Sequence, residues 1–131
     1  MRTKQDNSLL TEVELEFMTV VWATGGGTVR DLSAELNKLQ ERAYTSVATV
    51  LKIMEQKGFL TSERQDRSLV YCPAVPKADY QKTTLKNLSS KLFNDTPAAL
   101  VARLVEDEEV TNEMLVEMRA LLNERLGDNA S

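Results

Sequence analysis

The sequence predicts a mainly α-helical fold with one small β-hairpin, and three observations support this. Apolar residues recur at the 3.6-residue spacing of helices in several segments of the 131-residue chain. Between these segments, 59–64 and 68–72 are rich in strand-forming residues and are separated by a polar turn at 65–67. The composition, with 42% hydrophobic and 27% charged residues, is typical of a globular protein and not of a disordered chain.

Two threonines mark where the first two helices begin. Thr11 is followed three residues later by Glu14, so each side chain can accept a hydrogen bond from the other residue's free backbone N–H. Glycines 25–27 are expected to end this helix, and the second helix is expected to start at Thr28, with Asp31 at its third helical position. The apolar face of the second helix is predicted to consist of Val29, Leu32, Leu36 and Leu39.

A third helix is predicted from Tyr44 to Lys57, followed by Gly58. Glycine at this position favours the left-handed conformation that commonly ends a helix. The apolar stripe of this helix consists of Val47, Val50, Leu51 and Met54. Three helices followed directly by a hairpin are the order of a winged helix-turn-helix domain, in which the second helix of the motif enters the major groove of DNA. We therefore expect the helix at about 44–57 to contact DNA.

The outward face of this third helix is chemically suited to DNA. Thr45, Thr49 and Lys52 lie opposite the apolar stripe. Ala48 and Ser46 lie at the sides of this face. Hydroxyl groups can bond to several bases, and threonine or alanine methyl groups can meet the thymine methyl. Arg64 and Arg67 bracket the hairpin tip, where cations can contact phosphates. Arg42 and Tyr44 are further phosphate candidates, and the alternative that all these residues are simply solvated stays open.

Five stretches of the chain carry a family resemblance. They are 10–12 with 21–22, 43–49, 57–60, 67 with 70–73, and 93–101, which read LTE with VW, AYTSVAT, KGFL, R with VYCP, and FNDTPAALV. In this order and spacing they resemble the penicillinase-repressor family of winged-helix regulators (BlaI/MecI type). The resemblance covers nearly the whole chain.

The resemblance implies a homodimeric repressor with two domains. Residues 1–75 are expected to form the winged helix-turn-helix domain, and residues 76–131 a helical dimerisation domain. A two-fold dimer implies a palindromic operator with half-sites about one DNA turn, or a multiple of it, apart. The dimer interface is predicted to contain Leu85, Leu88, Leu92, Leu100, Leu104, Leu115, Met118 and Leu122. Three short helices outside the winged domain have little else against which to bury these side chains.

Two positions depart from the family pattern. The family usually has an arginine late in the third helix, where this chain has Ile53, and Lys52 replaces it only in part because lysine lacks the planar fork. Members that respond to β-lactams are cleaved by a regulatory protease, commonly after an asparagine. The matching bond here is Arg103–Leu104, which puts induction by that route in doubt. The C-terminal segment has no cysteine or histidine, so the metal site of copper-responsive relatives is excluded.

Other classes of function find little support in the sequence. The chain has no histidine, which is the commonest general base, and its single Cys72 has no histidine partner, so we expect no enzyme. The acidic run 106–109 lacks the spacing of a calcium loop, and glycines 25–27 lack that of a phosphate-binding loop, so neither metal nor cofactor is expected. The remaining alternative is a winged-helix dimer that acts as a protein–protein adaptor, which the net charge of −4 favours.

The sequence also predicts a cytoplasmic location and no contact with a membrane. The first residues contain no apolar signal segment, and no run approaches the roughly 18 apolar residues of a membrane span. A lone cysteine is typical of a reducing compartment.

Overall fold

The computed structural model of the protein describes residues 9–130, with side chains up to residue 127. Its helices are α1 (Glu12–Thr24), α2 (Val29–Asn37), α3 (Tyr44–Gln56), α4 (Lys77–Leu92), α5 (Pro97–Glu106) and α6 (Asn112–Ala130). Its strands are β1 (Gly27–Thr28), β2 (Leu60–Gln65) and β3 (Ser68–Pro73). The predicted fold class, mainly helical with a small hairpin after the third helix, is confirmed.

The predicted capping box at the start of α1 is present, and the structure shows a second one at the start of α2. The Glu14 amide donates to Thr11 Oγ1 at 3.1 Å, and the Thr11 amide donates to Glu14 Oε1 at 3.0 Å. At α2 the corresponding bonds between Thr28 and Asp31 measure 3.0 and 3.2 Å. Gly25 ends α1 in the left-handed conformation, with φ 86°, which confirms the predicted end of this helix.

α2 is shorter than the sequence predicts, and the inclusion of Leu39 in its apolar face is wrong. The helix ends at Asn37, and Leu39 is 62% exposed. Asn37 explains this end, because its Nδ2 donates to the Ser33 carbonyl at 2.7 Å and its Oδ1 accepts from the Arg42 amide at 2.7 Å. A short polar side chain that bonds the backbone competes with continuation of the helix.

A third strand joins the predicted hairpin. β2 and β3 form an antiparallel pair around the turn residues Asp66 and Arg67. β1 pairs with Val70 and Tyr71 on the other side of β3, which gives the strand order β1-β3-β2. A strand of two residues has no periodicity that a sequence could show, so it was not predicted. The strand β1 anchors the connection between α1 and α2 to the hairpin.

One hydrophobic core joins α1, α2, α3, the sheet and the beginning of α4. It consists of Phe17, Met18, Val20, Val21, Leu32, Leu36, Val47, Leu51, Met54, Phe59, Leu60, Tyr71 and Tyr80. The Tyr80 ring of α4 lies 5.8 Å from the Trp22 ring, and its hydroxyl accepts a hydrogen bond from the Leu10 amide at 2.7 Å. The first structural unit therefore extends to Leu85, past the boundary at 75/76 that the sequence predicts.

A partly buried ion pair joins α1 to the end of α3. Lys57 Nζ lies 2.7 Å from Glu14 Oε2, and Glu14 is only 6% exposed. Burial by itself raises the pKa of the Glu14 carboxyl, but hydrogen bonds from Lys57 and Thr11 outweigh burial and lower the pKa from its ordinary value of 4.5. The charged form of Glu14 therefore stabilises the folded state.

We expect Glu14→Gln to destabilise the protein by about 1–3 kcal/mol at neutral pH, because Lys57 is then partly buried without its counter-charge. The pKa of Glu14 is lower in the folded state, so its contribution is complete above the ordinary pKa and is lost as the pH falls through the lowered value. Urea unfolding of both proteins at about pH 7 and about pH 3 measures this difference.

The matched control is Glu35→Gln, which removes an exposed pair with Lys38 and should cost less than about 1 kcal/mol at either pH. If Glu14→Gln lost the same stability at both pH values, the ion pair would not be the cause.

The second structural unit begins at Lys86, and up to residue 127 it has no core of its own in a single chain. None of its side chains up to residue 127 is buried. Large apolar side chains are exposed on each of its helices, including Leu92, Val101 and Leu122. Across the described part of the whole chain, no helix combines the length and the apolar character needed to span a membrane.

Candidate nucleic-acid interface

α3 packs on the core through one face and leaves the other face open. Val47, Leu51 and Met54 are buried, and Val50 is half-buried beside them. The exposed residues of α3, which we call the open face, are Tyr44, Thr45, Ser46, Thr49, Lys52, Ile53 and Gln56. Ala48 is half-buried and lies at the edge of this face. The helix therefore brings the predicted base-contacting residues to one continuous surface.

The start of α3 differs from the starts of α1 and α2 because no side chain caps it. Its N-cap residue is Ala43, and its first turn contains no acidic residue. The backbone N–H groups of Tyr44, Thr45 and Ser46 therefore have no acceptor within the helix. Such groups, together with the positive end of the helix dipole, favour an anion such as a DNA phosphate.

The hairpin β2–β3, which we call the wing, carries two exposed arginines. Arg64 is in β2, and Arg67 follows Asp66 in the turn between the two strands. Side chains alternate between the faces of a strand, so Arg64 shares a face with Ser62. The Ser62 hydroxyl donates to Glu55 Oε2 of α3 at 2.6 Å, which ties this face of the wing to the helix. Within the described residues, neither arginine forms an ion pair.

Arg42, a predicted phosphate contact, is held by several contacts within the winged-helix fold. Its guanidinium lies 5.3 Å from the centre of the Phe17 ring, pairs with the Glu16 carboxylate and donates to the Leu36 carbonyl at 3.3 Å. The side chain is only 12% exposed. Arg42 thus holds the loop before α3 against α1, a role that depends on contacts distant in sequence and therefore escaped prediction.

The predicted dimerisation residues lie at exposed and half-buried positions. Leu85, Leu88, Leu92, Leu104 and Leu122 are 44–67% exposed, and Leu100, Leu115 and Met118 are half-buried. Val101 and Val105 of α5, together with Leu115 and Leu122 of α6, line an open apolar groove of about 470 Å³ in the second unit. The apolar stripes of this unit therefore have little intrachain cover.

The Arg103–Leu104 bond, a cleavage position only by resemblance, lies within α5. Arg103 Nη1 pairs with Glu106 Oε1 at 2.9 Å across one turn of this helix, and both side chains are exposed. Proteases cut exposed and irregular segments most readily, so α5 would have to unwind before cleavage there. Among the described residues, no group of three or more potential metal ligands is close enough to hold an ion.

The helical core, the paired wing and the open face of α3 define the class of this protein, a winged helix-turn-helix protein. Comparison with a solved structure agrees with this class. The solution structure of the DNA-binding domain of the repressor BlaI superimposes with a TM-score of 0.51 at 27% sequence identity. The match covers 56% of this chain and 89% of that domain.

Comparison of sequences identifies the family. A model of the penicillinase repressor family matches residues 10–124. The penicillinase repressor of Bacillus licheniformis is 24% identical over 115 residues, which cover 88% of this chain and 90% of that protein. The methicillin resistance regulatory protein MecI of Staphylococcus aureus (strain Mu50) is 22% identical over 116 residues, which cover 88% and 94%. The chain belongs to the penicillinase repressor family, whose members are transcriptional repressors and not enzymes.

Proposed function

We propose that the protein represses transcription by binding a palindromic DNA operator as a homodimer. The observation that carries this proposal is the open face of α3, where small hydroxylic side chains follow an uncapped helix start, together with the two exposed arginines of the wing. α3 enters the major groove and contacts bases through Thr45, Ser46, Thr49 and Lys52, with Ala48 at the edge of the contact. The free amides at the start of α3 and the wing arginines hold phosphates.

Dimerisation through the second unit is supported by the apolar surface that a single chain exposes. Three helical segments with no buried side chain cannot offset the entropy of their own ordering. A second copy offers the same apolar stripes, and a two-fold interface is self-complementary by construction. The open groove lined by Val101 and Leu115 is the concave part of this surface and receives side chains of the partner.

The test is binding of the purified full chain to DNA selected from a random pool, measured by gel shift at several salt concentrations. We expect selective binding with two protomers on each site, and an affinity that falls steeply with salt because bound cations release counterions from the phosphates. A folded dimer that binds no DNA selectively would contradict the proposal and would favour the alternative, a protein–protein adaptor.

Replacement of both Arg64 and Arg67 by alanine should weaken binding to all DNA sequences by a similar factor. Phosphate contacts carry no sequence information, and each one lost lowers the slope of log affinity against log salt by about one. The salt dependence of wild type and variant measures this change. The matched control replaces Arg103 and Arg125, two exposed arginines of the second unit. An unchanged slope in the wing variant would place the wing away from the phosphates.

The proposal also covers where the protein acts and how it is released from DNA. The protein acts in the bacterial cytoplasm, where its operator lies. A regulatory protease that cleaved the Arg103–Leu104 bond would separate α6 from the winged-helix unit. Such a cut would remove part of the dimer surface, so the two half-sites would no longer be bound by one linked pair.

A further inference from the structure

We propose that Ile53 recognises thymine in the operator through the 5-methyl group of the base. This inference rests on the proposed function of α3 and names the base chemistry that the helix recognises. Thr45, Thr49 and Ile53 stand at i, i+4 and i+8, so their side chains form one ridge along the open face of α3.

The middle of this ridge presents a methyl group and not an O–H donor. The Thr49 hydroxyl donates its hydrogen to the Thr45 carbonyl at 2.9 Å. A hydroxyl has a single hydrogen, so Thr49 Oγ1 can only accept from a ligand, while the methyl group remains free for apolar contact. In the major groove, the Thr49 methyl matches the thymine methyl, and the accepting Oγ1 matches the amino group of adenine or cytosine.

Ile53 extends the same ridge by one turn and is 40% exposed. An isoleucine side chain has no atom that can hydrogen bond to a base edge. The one group in the major groove that rewards apolar contact is the C5 methyl of thymine, whereas guanine is usually recognised by an arginine or lysine donor. Ile53 follows Thr49 on the same ridge of α3. This position, and not its exposure alone, assigns Ile53 to the thymine methyl.

The experiment removes thymine methyl groups from the DNA one at a time, by deoxyuridine substitution in an operator selected with the wild-type chain. We expect the wild type to lose about fourfold in affinity at one thymine of each half-site, which is the value of one buried methyl. Ile53→Ala should bind the thymine operator more weakly and should not distinguish thymine from deoxyuridine at that position. The matched control, Val13→Ala on α1, removes an aliphatic side chain that is 50% exposed and should keep the full methyl dependence.

Two outcomes overturn the inference and leave DNA binding in place. One is equal affinity for thymine and deoxyuridine at every position of the operator. The other is a result in which every thymine that shows a methyl dependence in the wild type keeps the same dependence in Ile53→Ala. Absence of selective binding by the wild type overturns the proposed function, and this inference with it. Urea unfolding of Ile53→Ala, expected to match the wild type, separates a lost contact from a lost fold.

Discussion

The double variant Leu92→Gln/Leu122→Gln should be monomeric and should bind the operator about 10²- to 10⁴-fold more weakly than wild type. The two leucines are 67% and 60% exposed in a single chain, so their replacement costs a folded monomer little. A dimer that covers them loses about 1.5–3 kcal/mol for each side chain. Operator affinity falls with the dimer, because the second half-site contact is intramolecular only when the protomers are linked.

Sedimentation gives the mass of the variant, and gel shifts on the full operator and on a single half-site give its affinities. Val13→Gln on α1 is the control, since it changes a 50% exposed side chain outside the second unit and should leave a dimer of wild-type affinity. A double variant that remains dimeric would place Leu92 and Leu122 outside the interface. A monomer with full operator affinity would contradict the two-half-site proposal.

Gly26→Ala should destabilise the winged-helix unit by about 2–6 kcal/mol, the sum of backbone strain and overpacking. Gly26 has φ 110°, a conformation that L side chains rarely adopt. A Cβ at this position would lie 2.2 Å from the Tyr71 carbonyl oxygen and 3.2 Å from Cys72 Cα. Both neighbours belong to β3, the central strand, which is paired on either side and cannot retreat without breaking its hydrogen bonds.

Gly25→Ala separates these two causes. Gly25 also has a positive φ, of 86°, but a Cβ there would meet no atom within 4 Å, so this variant carries the strain without the collision. We expect it to cost about 1–3 kcal/mol. Urea unfolding of the full-length variants, monitored by the single Trp22 in the first unit, provides the comparison. Equal losses at the two glycines would mean that close packing against β3 contributes nothing.

The outline of the candidate site was predictable because it depends on helical periodicity. The stripe of Val47, Leu51 and Met54 decides which face of α3 is buried, and the opposite face follows from the geometry of the helix. The wing was predictable from its two short runs of strand-forming residues and the polar turn between them. The role of Arg42 was not predictable in this way, because an arginine before a helix gives no sign of whether it faces solvent or a distant glutamate.

The sequence by itself determined the starts of α1 and α2, the buried face of α3, the wing and the family, because each of these depends on residues within a few positions of one another. Only the tertiary structure decided that Arg42 packs on Phe17, that β1 joins the wing, and that Tyr80 of α4 belongs to the first unit. These three features are contacts between segments far apart in the chain. Their free energy comes from burial and pairing that no local pattern encodes, so they exist only once the helices and strands have packed together.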